Sequence, residues 1–308
     1  MKQTAFIAIV GRPNVGKSTL LNAIIGEKIA IVSKKPQTTR NRITGVYTKA
    51  EDQYVFFDTP GLHNPRTKLG DFMVKTASQT LGGVDHAILV VEAREEVGDI
   101  EAQLISRFKA DGMRAILVIN KTDMVRAANI AKTIQAYSEA FDFDAVVPIS
   151  AKNGKGVDIV IEECRQYLSE GEWFFSEDMI TDQPERQIVA EIIREKLLRS
   201  LDEEIPHGTA VIINEFKEKN DDGEITSGDD RTVTVIKADI ICNRDSHKAI
   251  IIGKDGQMIK RIGTAARRNI EKLLDCKVYL DLYVKVRNDW QNNDAMLGST
   301  GLGKDIDE

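Results

Sequence analysis

The sequence predicts an α/β protein, a doubly wound sheet followed by a smaller α+β domain. Three observations carry this. Short β-branched runs alternate with helix-length segments through the first 170 residues, that rhythm stops near residue 172, and a different order of elements follows. Strands covered on both faces by crossover helices read as continuous apolar runs, as most of the early ones do.

The early strands are "FIAIV" (6–10), "ITGVYT" (43–48), "YVFFD" (54–58), "AILVVEA" (87–93), "RAILVIN" (114–120) and "AVVPIS" (145–150), which assigns 1–172 to the first domain. The aromatic, acidic stretch "EWFFSEDMITDQPER" (172–186) closes on Pro184 near a helix start, so 173–185 reads as a linker. The second domain, 186–290, opens with the helix "RQIVAEIIREKLLRSL". Strands over 208–218 and 231–242 form a long hairpin around the turn-rich "KNDDGEITSGDD". Two helical pieces flank Gly253–Gly256, and "KVYLDLYVKV" (277–286) alternates as the closing strand. The polar, glycine-rich end, 291–308, is expected to be a loose tail.

Composition narrows the function classes. At 308 residues with 42% hydrophobic and 29% charged residues, the chain has material for two soluble domains. No run reaches membrane-spanning length, and "MKQTAFIAIVG" reads as a first strand rather than a signal peptide. Cys164, Cys242 and Cys276 are too scattered for a disulfide framework or a zinc site, which suits a reducing cytosol. His63, His86, His207 and His247 are scattered too. The net charge of −6 disfavours a polyanion partner, with one exception. Over 247–290, ten Lys and Arg face five Asp and Glu.

Gly11-Arg12-Pro13-Asn14-Val15-Gly16-Lys17-Ser18 matches the P-loop pattern G-x-x-x-x-G-K-[ST] between a strand and a helix. The backbone N–H groups of Asn14, Val15, Gly16, Lys17, Ser18 and Thr19 would cradle phosphates, with Lys17 on the β- and γ-phosphates and Ser18 on Mg²⁺. Asp58-Thr59-Pro60-Gly61 closes a strand where a carboxylate can reach Mg²⁺ through water and the Gly61 N–H can sense a γ-phosphate. In Asn120-Lys121-Thr122-Asp123, the Asp123 carboxylate can accept from guanine N1–H and N2–H₂, a donor pair adenine lacks. Ser150-Ala151-Lys152 offers the Ala151 N–H to guanine O6.

Together "GRPNVGKST", "KKPQTTR", "DTPGLHNP", "NKTD" and "SAK" resemble the bacterial Era GTPases. The resemblance implies a Ras-like G domain, GTP hydrolysis, and switch loops that order around the γ-phosphate. It makes 33–42 the first switch, with Thr39, or alternatively Thr38, joining the Mg²⁺ shell. Ras-like proteins place a water-orienting glutamine after this glycine; here it is Leu62. Arg12, Arg40 and Arg42 are within sequence reach as substitutes. Related GTPases with a hydrophobic residue here use K⁺ held by a P-loop asparagine, and Asn14 matches that position. Slow, K⁺-stimulated hydrolysis is the expectation, against a plain turn role for Asn14.

Gly253-Lys254-Asp255-Gly256 is weak alone, since many loops carry G-x-x-G. Its setting is an α-β-β-α-loop-α-β order with Lys260, Arg261, Arg267 and Arg268 on the following helix. That order resembles a type II KH domain, a module that clamps single-stranded RNA against the GXXG backbone. Glycines would admit the sugar-phosphate chain, Lys254 would supply charge, and a groove beside Ile251 and Ile252 would accept bases. Trp290 either packs or stacks on a base. The Era resemblance then covers 1 to about 290 and implies GTP and GDP as ligands. It also implies binding to small-subunit ribosomal RNA near its 3′ end, small-subunit maturation, and a cytoplasmic monomer with at most weak membrane contact. The alternatives are a GTP-regulated RNA-binding scaffold with negligible hydrolysis, a P-loop kinase or ATPase, which "NKTD" opposes, and a membrane-peripheral signalling GTPase.

Overall fold

The computed structural model describes residues 1–302 other than 34, 36, 63, 64 and 66, with backbone only at 229. Residues 34 and 36 of the expected first switch, three positions after the "DTPGL" stretch, and the last six residues therefore lie outside the described residues. The chain forms two compact units, the main division falling between Asp182 and Gln183.

The first unit runs β1 (Gln3–Val10), α1 (Lys17–Ile25), β2 (Ile43–Lys49), β3 (Asp52–Asp58), α2 (Lys68–Gly82), β4 (His86–Glu92), α3 (Asp99–Asp111), β5 (Arg114–Asn120), α4 (Ala127–Ala140), β6 (Ala145–Pro148), α5 (Val157–Glu163) and β7 (Ser169–Glu170). Among the described residues these strands make one seven-stranded sheet, ordered β2-β3-β1-β4-β5-β6, with β7 antiparallel on β1. Only β2 and β7 run against the parallel majority. Strand alternation gives each face its own core. Ile7 and Ile9 of β1 meet Leu20, Leu21 and Ile24 of α1 and Val160 of α5. Ala8 and Val10 point the other way, towards Leu81 of α2, Leu104 and Phe108 of α3 and Tyr137 of α4. The doubly wound fold is as expected. It also brings Gly11, Asp58, Glu92, Asn120 and Ser150 to one edge, because each lies at or just past the carboxyl end of a parallel strand.

The segment after β7, expected to be a linker, is stitched to this unit. Gln53 is fully buried, and its amide mimics a peptide group. Its Oε1 accepts from the N–H groups of Phe174 (3.0 Å) and Phe175 (3.1 Å), and its Nε2 donates to Phe175 O at 2.9 Å. Further on, the Val46 N–H donates to Ile180 O and the Thr181 hydroxyl to Thr44 O. The free backbone of edge strand β2 is thus partly covered.

The second unit runs α6 (Glu185–Ser200), β8 (Ala210–Lys219), β9 (Val233–Cys242), α7 (Asp245–Ile252), α8 (Gln257–Leu274), β10 (Lys277–Val286) and α9 (Asp294–Ser299). β8 and β9 form the antiparallel hairpin, with a register shift between Ile213 and Glu215, and β9 pairs parallel with β10. A parallel pair needs a crossover, and the α7–loop–α8 segment supplies it. Val189, Ile193 and Leu197 of α6, Ile251 of α7, and Ile262, Ala266 and Ile270 of α8 close the core on Ile236, Ala238 and Ile240.

Up to residue 302 the expected loose tail is folded. Trp290 is fully buried and donates its indole N–H to Gly208 O at 2.9 Å, so it packs and cannot stack on a base. Asn293 caps α9 by accepting the Met296 N–H, and Leu297 and Leu302 are buried. A few buried apolar side chains and one cap order a segment whose average composition reads as disordered.

Candidate nucleotide and nucleic-acid sites

β1 delivers the chain at Gly11 and α1 takes it up at Lys17. Asn14 (φ 66) and Gly16 (φ 102) are left-handed, and the alternation of hands gathers successive N–H groups into an anion-binding nest. Lys17 is 6% exposed, and its ammonium donates to Gly11 O (3.0 Å) and Arg12 O (2.9 Å).

Beside it, three side chains converge. The Ser18 hydroxyl donates to Asp58 Oδ2 at 2.5 Å, and the Thr39 hydroxyl lies 2.8 Å from Ser18 Oγ and 3.4 Å from the same carboxylate oxygen. Thr38 instead donates to Lys35 O at 2.7 Å, so Thr39 is the threonine that enters the cluster. Asp58 Oδ1 is buried and has no hydrogen-bond partner. Burial pushes the Asp58 carboxyl up to about 6, against Lys17 and the hydrogen bonds from Ser18 and Thr39. Burial likewise pushes Lys17 down to about 8, with Asp58 pulling the other way. Two hydroxyls and a carboxylate are hard oxygen donors, the set Mg²⁺ takes beside a phosphate. An orphaned carboxylate oxygen fits a hydrated cation.

The next residues divide. Thr59 turns its hydroxyl inward to Ile9 O at 2.9 Å and is 1% exposed, so its side chain is structural rather than nucleotide-facing. Pro60 is buried as well. Gly61 lies against the P-loop: a Cβ there would come within 2.7 Å of the Pro13 backbone. Leu62 packs on the apolar cluster that holds Val10 and Leu89. Of the arginines, Arg12 pairs with Glu101, Arg40 is buried, and Arg42 sits over the Phe57 ring.

At the ends of β5 and β6 the residues expected to recognise the base meet. Asn120 Nδ2 donates to Val15 O at 2.9 Å, while its Oδ1 accepts from the Lys121 N–H (2.8 Å) and the Ala151 N–H (3.0 Å). The Ala151 N–H, expected to be available to guanine O6, is therefore already engaged, because Asn120 bridges the P-loop to the Ser150-Ala151-Lys152 loop. Ser150 donates to Asp123 Oδ1 at 2.7 Å, and this bond holds the Asp123 carboxyl below its ordinary range. Asp123 and Lys152 are exposed. Lys121, left-handed at φ 63, donates to Asn14 O at 2.7 Å and pairs with Glu92.

In the second unit, the N–H of Gly253 closes α7 on Ala249 O, and Lys254, Asp255 and Gly256 form a short 3₁₀ turn into α8. Lys254, Lys260, Arg261, Arg267 and Arg268 are exposed. Helical spacing puts the last four on one side of α8, opposite the buried Ile262, Ala266 and Ile270. Ile251, expected beside the bases, is fully buried: in a helix it points into the core, leaving Ile252 partly exposed.

Sequence reasoning missed Glu92, Glu101 and Gln53. Glu92 had one signal, an acidic residue at the carboxyl end of an apolar strand. The other two become legible only through partners 89 and 122 residues away.

The fold and these clusters define a class: a P-loop GTPase domain followed by a KH domain. The family model described as 50S ribosome-binding GTPase matches residues 6–121, and the KH domain model matches 204–291. GTPase Era of Ruminiclostridium cellulolyticum is 49% identical over 299 residues, 97% of each chain, and that of Geobacter metallireducens is 46% identical, again over 97% of each. A crystal structure of Era with MgGDPNP and nucleotides 1506–1542 of 16S ribosomal RNA superposes with a TM-score of 0.90 at 40% identity, over 98% of this chain and 99% of that one. An Aquifex aeolicus Era variant bound to GDP·AlF4⁻ gives 0.89 at 40% identity, over 97% and 99%. The chain belongs to the GTPase Era family.

Proposed function

We propose that the protein binds and hydrolyses GTP and couples its nucleotide state to binding of small-subunit ribosomal RNA near the 3′ end, acting in maturation of that subunit. The convergence of Ser18, Thr39 and Asp58 beside Lys17, with Asp123 fixed by Ser150, carries the reading. Lys17 and the P-loop N–H groups hold the phosphates, Ser18, Thr39 and Asp58 hold Mg²⁺, and Asp123 selects guanine. Held there, Mg²⁺ would supply neutralisation of the phosphate charge. Gly253, Lys254 and Gly256 receive an RNA backbone, Ile252 flanks the bases, and Lys260, Arg261, Arg267 and Arg268 supply the field. The matching GTPase model is described by the large-subunit particle, whereas the neighbour covering 98% of this chain holds 16S RNA; the second match is the fuller one, and it supports the small subunit.

Hydrolysis is slow and K⁺-stimulated, with Asn14 a K⁺ ligand. Leu62 can neither donate nor accept, Arg12 is held by Glu101, and Arg42 sits over Phe57. The same packing of Leu62 favours a second reading, a GTP-regulated scaffold that turns over negligibly. The protein acts in the cytoplasm as a monomer, with at most weak contact with the membrane's inner face; no described helix is long and apolar enough to cross one.

The test is binding of a labelled RNA from the 3′ end of small-subunit rRNA to protein loaded with GDP or a non-hydrolysable GTP analogue. Tighter binding in the GTP-like state, lost in Gly253→Asp, is expected; equal binding in both states rules out the coupling. Turnover in K⁺ above that in Na⁺ is the companion result, and equal rates would remove Asn14 from the mechanism.

A further inference from the structure

Arg12 and Glu101 form an ion pair between the P-loop and α3, and the reading above gives Glu101 no part in nucleotide binding. The Arg12 Nε–H donates to Glu101 Oε1; the side chains are 18% and 0% exposed. Glu101 lies in the first turn of α3, where the helix dipole favours a carboxylate, and its Oε2 is buried without a hydrogen-bond partner. A carboxylate so enclosed is costly unless its charged partner Arg12 stays in place. The pair therefore constrains Arg12, and the Arg12 carbonyl is one of the two that hold the Lys17 ammonium, at 2.9 Å.

We propose that Glu101 is a positioning residue for phosphate recognition: by holding the Arg12 guanidinium it fixes the Arg12 peptide, which aims Lys17 at the β- and γ-phosphates. The proposal rests on the role given to Lys17 above. A pair that merely anchored α3 to the sheet would weaken every ligand alike. A strut acting through Lys17 weakens only ligands that Lys17 touches.

The experiment measures Kd of the full chain for GMP, GDP and a non-hydrolysable GTP analogue, in wild type, Glu101→Gln, the double variant Arg12→Met/Glu101→Leu, Lys17→Ala, and Lys17→Ala/Glu101→Gln. The double variant removes both charges for apolar groups of similar size, a change that buried pairs tolerate, so it decides the matter if Glu101→Gln folds poorly. Expected are losses of about tenfold for GDP and the analogue but under about twofold for GMP, and no further loss when Glu101→Gln is added to Lys17→Ala. Equal losses for all three ligands, or an unchanged GDP affinity in the folded double variant, would overturn the proposal. If Lys17→Ala itself fails to separate GDP from GMP, the reading of Lys17 falls instead, and the proposal with it.

Discussion

The hydroxyl oxygens of Ser18 and Thr39 lie 2.8 Å apart although 21 residues separate them in the chain. One comes from the first turn of α1, the other from the stretch leading into β2, and both bond the carboxylate that ends β3. Three segments with different freedoms thus share one small cluster of oxygens. Loss of the γ-phosphate would most affect the member not anchored in a regular element, which is Thr39.

Thr39→Ala should therefore weaken a GTP analogue by about tenfold or more relative to GDP, the scale of a hydrogen bond to a charged group. Thr39→Ser should restore the ratio, and Thr38→Ala should leave it near wild type. Fluorescent-nucleotide titrations read all three; equal losses for GDP and the analogue would exclude Thr39 as the discriminating hydroxyl.

Asp123 offers a change of specificity. Xanthine carries a C2 carbonyl where guanine has N2–H₂, so Asp123→Asn, which exchanges an acceptor for a donor, should weaken GTP and strengthen XTP. Competition between the two nucleotides measures the ratio. If XTP gains nothing, the base does not sit against Asp123.

Gly253 has φ 72 and ψ 173, and an added Cβ would lie 2.6 Å from Met258 Cβ. Gly253→Ala should cost about 1–3 kcal/mol of KH-domain stability and abolish RNA binding. Gly256→Ala meets nothing within 4 Å and should be milder. Thermal unfolding and RNA titration of both variants give the order; a reversed order would show that the tight site is not at Gly253.

His86 gives the pH dependence. Its ring stacks on Tyr167 with centroids 4.2 Å apart, and its Nδ1 is buried without a hydrogen-bond partner. Burial holds its pKa below 6.5; Asp85 and Asp144 pull it up, Arg114 down. The unfolded chain takes up this proton more readily than the folded one. The His86 contribution is therefore intact above pH 6.5 and is lost as pH falls below it. Between about pH 7.5 and pH 5.5, wild type should lose more stability in urea than His86→Phe. Equal losses would mean that His86 protonates freely in the fold.

The parts of this protein set by local chemistry were readable from the sequence. The strand over 114–120 and the strand over 277–286 match the observed β5 and β10 residue for residue, since apolar runs and alternation are local signals. The P-loop, "DTPG", "NKTD" and "SAK" stand where a parallel sheet presents its loops, because the order of elements already dictates which strand ends share an edge. Tertiary structure decided what each group has left to offer. It gave the Ala151 N–H to Asn120 and the Thr59 hydroxyl to Ile9, turned Ile251 into the core and chose Thr39 over Thr38. It bound 174–175 to β3 through Gln53 and 180–181 to β2 through Val46 and Thr44, and set Glu101 against Arg12. A hydrogen bond or ion pair depends on positions to within half an ångström across tens of residues of chain. Composition and spacing carry no such information, and only the packed core supplies it.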